Sequence, residues 1–374
     1  MDIETQNKYR NSIAIWSITP NGKLLGQKIH DAVKGSVFFV SEKIWPKQNF
    51  QQTKLKNIFI FSKLSHEIRQ QFNVFSGHVF IFSTGIAVRI IAPLLQSKMI
   101  DPAVIVLDDR ANYAISFLSG HVGGANALTK KIAGIVHAKP VITTATDTNN
   151  LPSIDMIAKT NNLYIETPHN IKHINMAFLK GQRVNLYDPF YMIKKVLPEK
   201  FWTDNNKTND KMAQQIFCSH EVKKVPRETL LLRPLVLSVG IGCNRGTEYK
   251  VIKEFLLSVF KKQKLSLNSI ERFGTTQVKE DEKGLLKLSD TMQIKIDFYN
   301  NEELNSVETI KTPSKIVEKH LGVKSVCEAA AILSSGFASR GKPATLDKQS
   351  KQEGLLIVSK QKNKDVTIAV AIRK

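Results

Sequence analysis

Short runs of apolar residues alternate with segments of helical spacing through the first 150 residues. The run Ala103–Leu107 is apolar at every position. Continuous apolar strands between helices are typical of a mostly parallel sheet with helices on both faces. We therefore predict an α/β sandwich over residues 1–150. Its predicted elements are strands at 12–18, 36–40, 57–61, 79–82, 103–107, 113–118 and 140–143, and helices at 22–33, 62–72, 85–95 and 123–136.

The pattern weakens between residues 151 and 230, where Asn, His and Lys become frequent. Within it, 203–229 is polar and shows no clear period, so we interpret it as a linker or a partly ordered excursion. The alternation returns over 231–374 and predicts a second α/β domain. The expected fold is two α/β sandwich domains with mostly parallel sheets, 1–150 and 231–374, joined by a less regular middle segment, 151–230. The predicted elements of the second domain are strands at 234–242, 269–275, 293–298 and 366–371, and helices at 247–260, 282–289, 313–321 and 325–333.

The chain is strongly basic: 54 lysines and arginines oppose 33 aspartates and glutamates, a net charge of +21. This excess indicates an anionic partner, which can be nucleic acid, an acidic membrane surface or a small molecule rich in carboxylates or phosphates. The start of the chain does not resemble a secretory signal, and the longest stretch without charged residues, 70–88, is broken by polar ones. The three cysteines form no C-x-x-C pair. We therefore expect a cytoplasmic protein with reduced cysteines.

The densest motif is Ser-Gly-His-Val-Gly-Gly-Ala-Asn at 119–126, between a predicted strand and a predicted helix. Gly120, Gly123 and Gly124 allow a tight turn that directs N–H groups outward at a helix N-terminus, an arrangement that binds anions. The same glycines also suit close packing of a strand against a helix. His121 lies inside the turn and is a candidate acid or base.

Two further polar turns follow strands of the same domain. Gly85 and Arg89 follow the strand at 79–82, and Arg89 either pairs with a carboxylate or lies on a solvated face. Thr143, Thr144 and Asp147 follow the last strand and suit either a polar ligand or an Asx or N-cap turn. Because ligands of open α/β sheets bind at the carboxyl ends of the strands, we expect all three turns to meet at one edge.

The second domain repeats this arrangement of strand, glycine turn and helix. Gly242 and Gly246 flank the turn. The Arg245 side chain and the exposed amides of the turn are candidates for binding an anion. Cys243 is either a nucleophile with a lowered pKa or a structural cysteine, because no partner base is evident. Thr247 is expected to cap the following helix.

Lys279 belongs to a charged run before a helix and is a further candidate for binding an anion. Ser325 and Glu328 have the spacing of a capping box, which gives Glu328 a structural role. The chain contains no H-E-x-x-H sequence, no paired Cys/His set and no EF-hand loop, so we predict no protein-bound metal.

Six strings along the chain together resemble one protein family. They are STGIAVRIIAPLLQSKMIDPAVIVLDD (83–109), ISFLSGHVGGANALTKKIA (115–133), PVITTATD (140–147), VLSVGIGCNRGT (236–247), VKEDEKGLL (278–286) and GVKSVCEAAAIL (322–333). In this combination they are similar to the CbiG family of anaerobic cobalamin biosynthesis, the cobalt-precorrin-5A hydrolases. The resemblance covers both predicted domains in the family's order, and 203–229 matches no motif of the family.

The resemblance implies hydrolysis of the δ-lactone of cobalt-precorrin-5A, with release of acetaldehyde and formation of cobalt-precorrin-5B. It implies an anionic substrate with a rim of acetate and propionate groups, which brings its own cobalt, so no further cofactor is expected. As a hypothesis, His121 or Asp147 is the base that activates water, and amides near Gly123 and Gly124 stabilise the oxyanion or a carboxylate. The candidates for substrate binding, with Arg89 and Arg245 as clamps for propionates, are Gly85, Arg89, Gly120, Gly123, Gly124, Asn126, Thr143, Thr144, Gly242, Cys243, Arg245, Gly246 and Lys279.

The alternative function is that of a non-catalytic tetrapyrrole carrier, because the C-terminal part alone also resembles a corrin-pathway protein without an assigned reaction. Nucleic-acid binding requires a basic stripe interleaved with exposed aromatic residues. Here the lysines are dispersed and most phenylalanines fall in predicted cores, so we expect neither a nucleic-acid nor a membrane partner. A homodimer and transient contact with neighbouring pathway enzymes are both compatible with this interpretation.

Overall fold

The computed structural model describes residues 9, 11–45, 57–97, 100–121, 123–204, 214–336 and 354–373. The chain divides into two compact units, Met1–Met156 and Ile157–Lys374, called here the N-terminal and C-terminal units. Part of the predicted linker, 205–213, lies outside the described residues. Within the described ranges, no helix is both long enough and apolar enough to cross a membrane.

A seven-stranded sheet forms the centre of the N-terminal unit. Its elements are β1 (Ile13–Ser17), α1 (Pro20–Ala32), β2 (Val37–Ser41), β3 (Ile58–Phe61), α2 (Leu64–Gln71), β4 (Gly77–Ile81), α3 (Thr84–Ile91), β5 (Ala103–Leu107), β6 (Tyr113–Leu118), α4 (Ala125–Val136), β7 (Lys139–Val141), α5 (Ala145–Thr148) and α6 (Ile154–Thr160). The strand order is β3-β2-β1-β4-β5-β6-β7. Strands β1 to β5 pair in parallel, whereas β6 is antiparallel to β5 and β7 is parallel to β6. The carboxyl ends of β6 and β7 therefore lie at the opposite edge of the sheet from those of β1 to β5.

Both faces of this sheet are covered, which explains why its strands are apolar at consecutive positions. On one face Trp16 and Phe39 stack with ring centroids 4.1 Å apart, in a cluster that includes side chains of α2 and α3. Their neighbours Ile15 and Phe38 pack on the other face with side chains of α1 and α4. The predicted strands and helices of this unit all occur, with ends that differ by a few residues.

A neutral histidine lies inside this core. His78 on β4 is fully buried; its Nδ1 accepts a hydrogen bond from Trp16 Nε1 at 3.1 Å, and its Nε2 lies 3.0 Å from the carbonyl oxygen of Phe72. Because the indole N–H only donates and the carbonyl only accepts, the imidazole proton is on Nε2. Burial lowers the pKa of His78 to about 4, against the opposing effect of the hydrogen bond to Phe72.

The stretch expected to be less regular contains a five-stranded sheet. Its elements are β8 (Leu163–Ile165), α7 (Ile171–Leu179), β9 (Val184–Tyr187), β10 (Trp202–Asp204), β11 (Gln215–Cys218) and β12 (Leu230–Pro234). The order is β10-β9-β11-β12-β8, and only β8 pairs antiparallel. Strands of three to five residues are too short to show a hydrophobic period. Arg233 also interrupts the apolar run of β12; it is buried and donates to Glu166 Oε2 at 2.6 Å.

A second five-stranded sheet completes the C-terminal unit. Its elements are β13 (Leu237–Cys243), α8 (Tyr249–Gln263), β14 (Ile270–Thr276), α9 (Lys283–Met292), β15 (Ile296–Tyr299), α10 (Asn301–Asn305), α11 (Lys315–Leu321), α12 (Val326–Gly336), β16 (Leu355–Lys362) and β17 (Val366–Ile372). The order is β15-β14-β13-β17-β16; β13, β14 and β15 are parallel, and β17 is antiparallel to both of its neighbours. The predicted α/β class with mostly parallel sheets is confirmed, whereas β16 and α10 are absent from the prediction.

Helix α12 touches the third sheet directly because two glycines lie beneath it. A Cβ atom on Gly240 would lie 1.8 Å from the carbonyl oxygen of Cys327, and one on Gly274 would lie 2.8 Å from that of Ala330. The predicted capping box at the start of α12 is wrong. The buried Glu328 carboxylate instead accepts hydrogen bonds from the amides of Lys311, Thr312 and Lys360, because the adjoining loop and β16 bring these donors to it.

The environment of His78 predicts acid sensitivity of the N-terminal unit. A histidine whose pKa is lowered on folding stabilises the fold above its unfolded pKa, and this contribution is lost as the pH falls towards the folded value. Between about pH 7 and about pH 4.5 we expect a loss of roughly 2–3 kcal/mol from this residue. Unfolding by urea, followed through Trp16 fluorescence in a Trp45→Phe/Trp202→Phe background, measures it.

The variant His78→Gln keeps an acceptor for Trp16 and a donor for Phe72 but does not titrate, so it should lack this component of the pH dependence. The control is His66→Gln, which removes an exposed histidine from α2. An equal pH dependence in the unsubstituted chain and in His78→Gln would contradict the assignment.

Candidate functional site

The turn after β6 has the tight geometry that its glycines predict. Gly124 has a φ of +91° and Ser119 a φ of +57°, both in the left-handed region. A Cβ atom on Gly123 would lie 2.3 Å from that of Ser119, so a larger residue would push the turn apart. The turn returns the chain to the start of α4, and His121 lies at its outer end.

The amides of this turn are used within the turn itself. Gly124 N–H donates to the His121 carbonyl at 2.9 Å, and the first amides of α4, those of Ala125 and Asn126, donate to the carbonyls of Ser119 and Gly120 at 3.1 and 2.9 Å. The Gly124 amide is therefore not free to stabilise an oxyanion or a carboxylate, whereas the same role for the Gly123 amide remains a prediction. The physical reason is that the left-handed turn places its own carbonyl groups at the helix N-terminus, where they accept these hydrogen bonds.

Asn126 connects this turn to the one after β7. Its Oδ1 accepts a hydrogen bond from Ser116 at 2.6 Å, so the amide orientation is fixed. Its Nδ2 then donates to Thr144 Oγ1 at 2.9 Å and to Asp147 Oδ2 at 3.0 Å. The structure thus brings together three residues that sequence analysis singled out separately.

His121 is held between two carboxylates. Its Nε2 lies 2.8 Å from Asp147 Oδ2 and 3.0 Å from Thr146 Oγ1, and its Nδ1 lies 3.2 Å from Ser153 Oγ and 3.5 Å from Asp155 Oδ2. The Ser153 hydroxyl donates its one hydrogen to Asp155, so it can only accept from Nδ1. The Asp147 carboxylate can only accept from Nε2. Both ring nitrogens therefore donate, which makes His121 an imidazolium.

The charges around His121 stabilise this state. The hydrogen bond to Asp155 raises the pKa of His121 most, Asp147 adds to the effect, and burial opposes it. Burial alone would raise the pKa of Asp155, but hydrogen bonds from His121 and Ser153 outweigh it and lower that pKa to about 2. The Asp147 side chain is 30% exposed, against 15% for His121 and 9% for Asp155. The cluster thus holds a proton donor beside a carboxylate that solvent can reach.

The turn that contains Gly85 and Arg89 does not join this cluster. It follows β4, whose carboxyl end lies at the opposite edge from that of β6, because β6 runs antiparallel to β5. Across five residues of strand the two edges are about 16 Å apart. The expectation that all three turns meet at one edge is therefore wrong. Arg89 is exposed, and its role in binding remains a prediction, as does that of the exposed Thr143.

In the C-terminal unit the predicted residues lie where β13 and β14 end. Arg245 is exposed and pairs with Asp281, and Gly246, with a φ of +77°, donates its N–H to Glu282 Oε1 at 3.0 Å. Lys279 Nζ lies 3.2 Å from Glu282 Oε2. These contacts make the turn a network of ion pairs.

Burial raises the pKa of Cys243 to about 11, so of the two expectations for this residue the low-pKa nucleophile is wrong. Thr247 does not cap α8; its hydroxyl donates to the Asn244 carbonyl at 2.8 Å. Gly242 lies close to Thr367, whose Oγ1 would be 2.6 Å from a Cβ at that position.

Sequence analysis missed Ser153 and Asp155, both of which contact His121, and left Thr146 of the threonine-rich turn out of the site candidates. The available signal was the Ser-Ile-Asp sequence at 153–155, which follows the Thr-rich turn and opens an apolar helix. Among the residues that the structure describes, no group of three or more His, Cys, Asp and Glu side chains is arranged to hold a metal ion. The expectation that the protein binds no metal of its own remains a prediction.

Three family models match the chain. Residues 66–147 match the model described as cobalamin synthesis G N-terminal, residues 152–234 the cobalamin biosynthesis central region, and residues 237–371 the cobalamin synthesis G C-terminus.

Curated relatives match nearly the whole chain. A cobalt-precorrin-5A hydrolase of Priestia megaterium is 30% identical over 97% of this chain and 95% of its own length. One of Salmonella typhimurium is 32% identical over 87% of this chain and 92% of its own length. A probable cobalt-precorrin-5A hydrolase of Methanocaldococcus jannaschii is 28% identical over 96% of this chain and 98% of its own length.

The two carboxylates around His121 predict the response of its pKa to substitution. In Asp155→Asn the strongest charged partner is lost, so the pKa of His121 should fall. Long-range ¹H–¹⁵N correlation spectra of histidine-labelled protein, recorded across pH, follow this residue directly. Asp31→Asn, which removes an exposed aspartate on α1, serves as the control and should leave the titration in place. A His121 titration that is identical in Asp155→Asn and the unsubstituted chain would rule out the imidazolium assignment.

Proposed function

The chain belongs to the CbiG family of cobalamin-biosynthesis proteins, and we propose that it hydrolyses the δ-lactone of cobalt-precorrin-5A, releasing acetaldehyde and forming cobalt-precorrin-5B. The match of three family segments in order, and relatives with this activity in their names over nearly the full length, support the proposal. The substrate brings its own cobalt, and the three free cysteines agree with a reducing compartment such as the cytoplasm.

The observation that carries the proposal is the pairing of the His121 imidazolium with the accessible Asp147 carboxylate. Lactone hydrolysis needs a base that takes a proton from water and an acid that returns one to the leaving carbon. Asp147 is the more exposed of the two groups, and a carboxylate can accept a proton, whereas His121 has both nitrogens occupied as donors. We therefore assign Asp147 as the base and His121 as the acid.

In the first step Asp147 accepts a proton from water while the oxygen of that water adds to the lactone carbonyl. The acyl–oxygen bond breaks, and the ring substituent is left as an alkoxide beside a new carboxyl group. The imidazolium, 2.8 Å from Asp147, stabilises the negative charge that develops at this stage.

In the second step the alkoxide becomes the carbonyl of acetaldehyde. The carbon–carbon bond to the macrocycle breaks, and its electron pair stays on the ring carbon, which takes a proton from His121. Asp147 then returns its proton to His121 across their hydrogen bond. One water is consumed for each acetaldehyde formed, so the reaction is a hydrolysis of a carbon–carbon bond.

Asn126, Ser153 and Asp155 are positioning residues, which hold the two reacting side chains in place. Asn126 orients the Asp147 carboxylate, and Ser153 with Asp155 holds the ring of His121 from its other nitrogen. We keep Arg245 and Lys279 as candidates for substrate carboxylates. Arg89 lies at the opposite edge of its sheet from His121, so a contact with substrate there would involve a part remote from the lactone.

The proposal predicts large losses of activity at both groups. Asp147→Asn removes the base and His121→Gln removes the acid, and each should slow acetaldehyde release about 10²–10⁴-fold. The assay is anaerobic incubation with cobalt-precorrin-5A, trapping of volatile aldehyde and the mass of the corrinoid product. The control is His137→Gln, which removes an exposed histidine at the end of α4, outside the cluster, and should keep the activity.

Two results would count against the proposal. Binding of cobalt-precorrin-5A to the unsubstituted chain without aldehyde would favour a tetrapyrrole carrier. Aldehyde release that is equal in Asp147→Asn, His121→Gln and the unsubstituted chain would move the catalytic groups elsewhere.

A further inference from the structure

A cavity of about 480 Å³ lies at the carboxyl edge of β13 and β14 in the C-terminal unit. Its wall includes the ends of these two strands, the turn between β16 and β17, and the start of α12. We infer that this cavity binds a carboxylate group of a polycarboxylate small molecule, as a site separate from the His121 cluster. The cavity itself supports the chemical class of the ligand, a polycarboxylate. That this ligand is the tetrapyrrole substrate rests on the proposed function.

The charge of the cavity wall is the first argument. Four lysines line it, Lys279, Lys360, Lys362 and Lys364, against one acidic residue, Asp365. The Asp365 carboxylate already accepts a hydrogen bond from Asn244 Nδ2 at 3.1 Å. Lys279 is paired with Glu282, so three lysines remain against one aspartate. This excess attracts an anion, and a partly enclosed wall strengthens the attraction by lowering the local dielectric.

Two of the lysines are held in place by the fold. Lys360 Nζ donates to the Thr312 carbonyl at 2.8 Å, and Lys279 Nζ to Glu282 Oε2 at 3.2 Å. An ammonium group has three N–H donors, so each retains donors for a ligand. Lys362 and Lys364 are exposed at the rim and can close over a bound group.

The buried Glu328 makes this wall rigid. Its carboxylate accepts from the Lys360 amide at 2.9 Å and from the Thr312 amide at 3.0 Å. It therefore fixes the β16 backbone that carries Lys360 and the loop whose carbonyl holds the Lys360 ammonium. A preformed site loses less entropy when it binds than one that must be ordered first.

The polar groups behind the wall give the second argument. Ser325, Val326 and Cys327 line the cavity at the start of the eleven-residue helix α12, whose first N–H groups have no partner within the helix and carry the positive end of its dipole. Thr276 also lines the cavity; its side chain is buried and its hydroxyl has no hydrogen-bond partner among the described residues. Buried hydroxyls in proteins are normally paired, so Thr276 indicates a missing partner.

Two other cavities of the same unit have a smaller charge imbalance. The cavity of about 600 Å³ beside Arg245 contains Glu248, Asp281 and Glu282 among its lining residues, and Arg245 is already paired with Asp281. The cavity of about 550 Å³ beside Arg373 contains Glu271, which lies 3.3 Å from that arginine. Each of these two walls carries one cation more than its acidic residues, whereas the wall of the lysine-lined cavity carries three more.

Titration of the full chain with uroporphyrin, a tetrapyrrole with acetate and propionate side chains, tests the site without requiring turnover. In Lys362→Gln/Lys364→Gln the dissociation constant, measured by porphyrin fluorescence, should rise about tenfold or more, because two charge-assisted contacts are lost. The matched control is Lys261→Gln/Lys262→Gln, which removes the same charge from exposed positions at the end of α8. There the change should stay below about twofold, since distant exposed charges are screened.

Amine acetylation followed by mass spectrometry locates the site in the unsubstituted protein. Uroporphyrin should protect Lys279, Lys360, Lys362 and Lys364 but not Lys261 or Lys262. Equal weakening in both double variants, or equal protection of both groups of lysines, would mean general attraction to a chain of net charge +21 and would overturn the inference.

The two proposals can fail separately. If the dissociation constant rises selectively in Lys362→Gln/Lys364→Gln while cobalt-precorrin-5A yields no acetaldehyde with the unsubstituted chain, the carboxylate site stands and the proposed function fails. If acetaldehyde forms and neither double variant alters uroporphyrin binding, the hydrolase stands and the carboxylate site fails.

Discussion

The direction of a single strand, β6, determines which turns of the N-terminal unit can share a site. Because β6 pairs antiparallel with β5, the turns after β6 and β7 lie together at one edge of the sheet, and those after β1 to β5 lie at the other. The contacts of His121 with Asp147 and Thr146 follow from the parallel pairing of β6 and β7, and the reversal at β6 separates them from the turn with Arg89. If β6 ran parallel to β5, the turn with Arg89 and the turn with His121 would lie at the same edge of the sheet.

In the His121 cluster, hydrogen-bond donors are matched to acceptors. Ser116 orients Asn126, Asn126 orients Asp147, and Ser153 with Asp155 occupies the second nitrogen of the ring. Each side chain has one arrangement that satisfies its partners, so the protonation of His121 is a property of the network. The seven-stranded sheet holds the turns that carry this network in place, as stabilisation of a developing charge requires.

The sequence allowed prediction of the elements with long, strongly apolar strands and of the residues inside glycine-rich turns. His121 and Asn126 were found in the glycine-rich turn after β6, and Asp147 in the threonine-rich turn after β7. Ser153 and Asp155 were not, because their contact with His121 depends on where the chain returns after α5. The direction of β6 was not predictable either, since the apolar pattern of a buried strand is the same whether it pairs parallel or antiparallel. The sheet of β8 to β12 was missed because its strands are short and Arg233, buried through its pair with Glu166, looks like a surface residue in the sequence.

The N-terminal unit contains two histidines whose titrations are displaced in opposite directions. Burial lowers the pKa of His78 to about 4, and the two carboxylates beside His121 raise the pKa of that residue. His78 is therefore neutral near neutrality, whereas the carboxylates beside His121 favour its protonated form. One unit thus excludes charge from its core at one histidine by burial and favours charge at another through paired carboxylates.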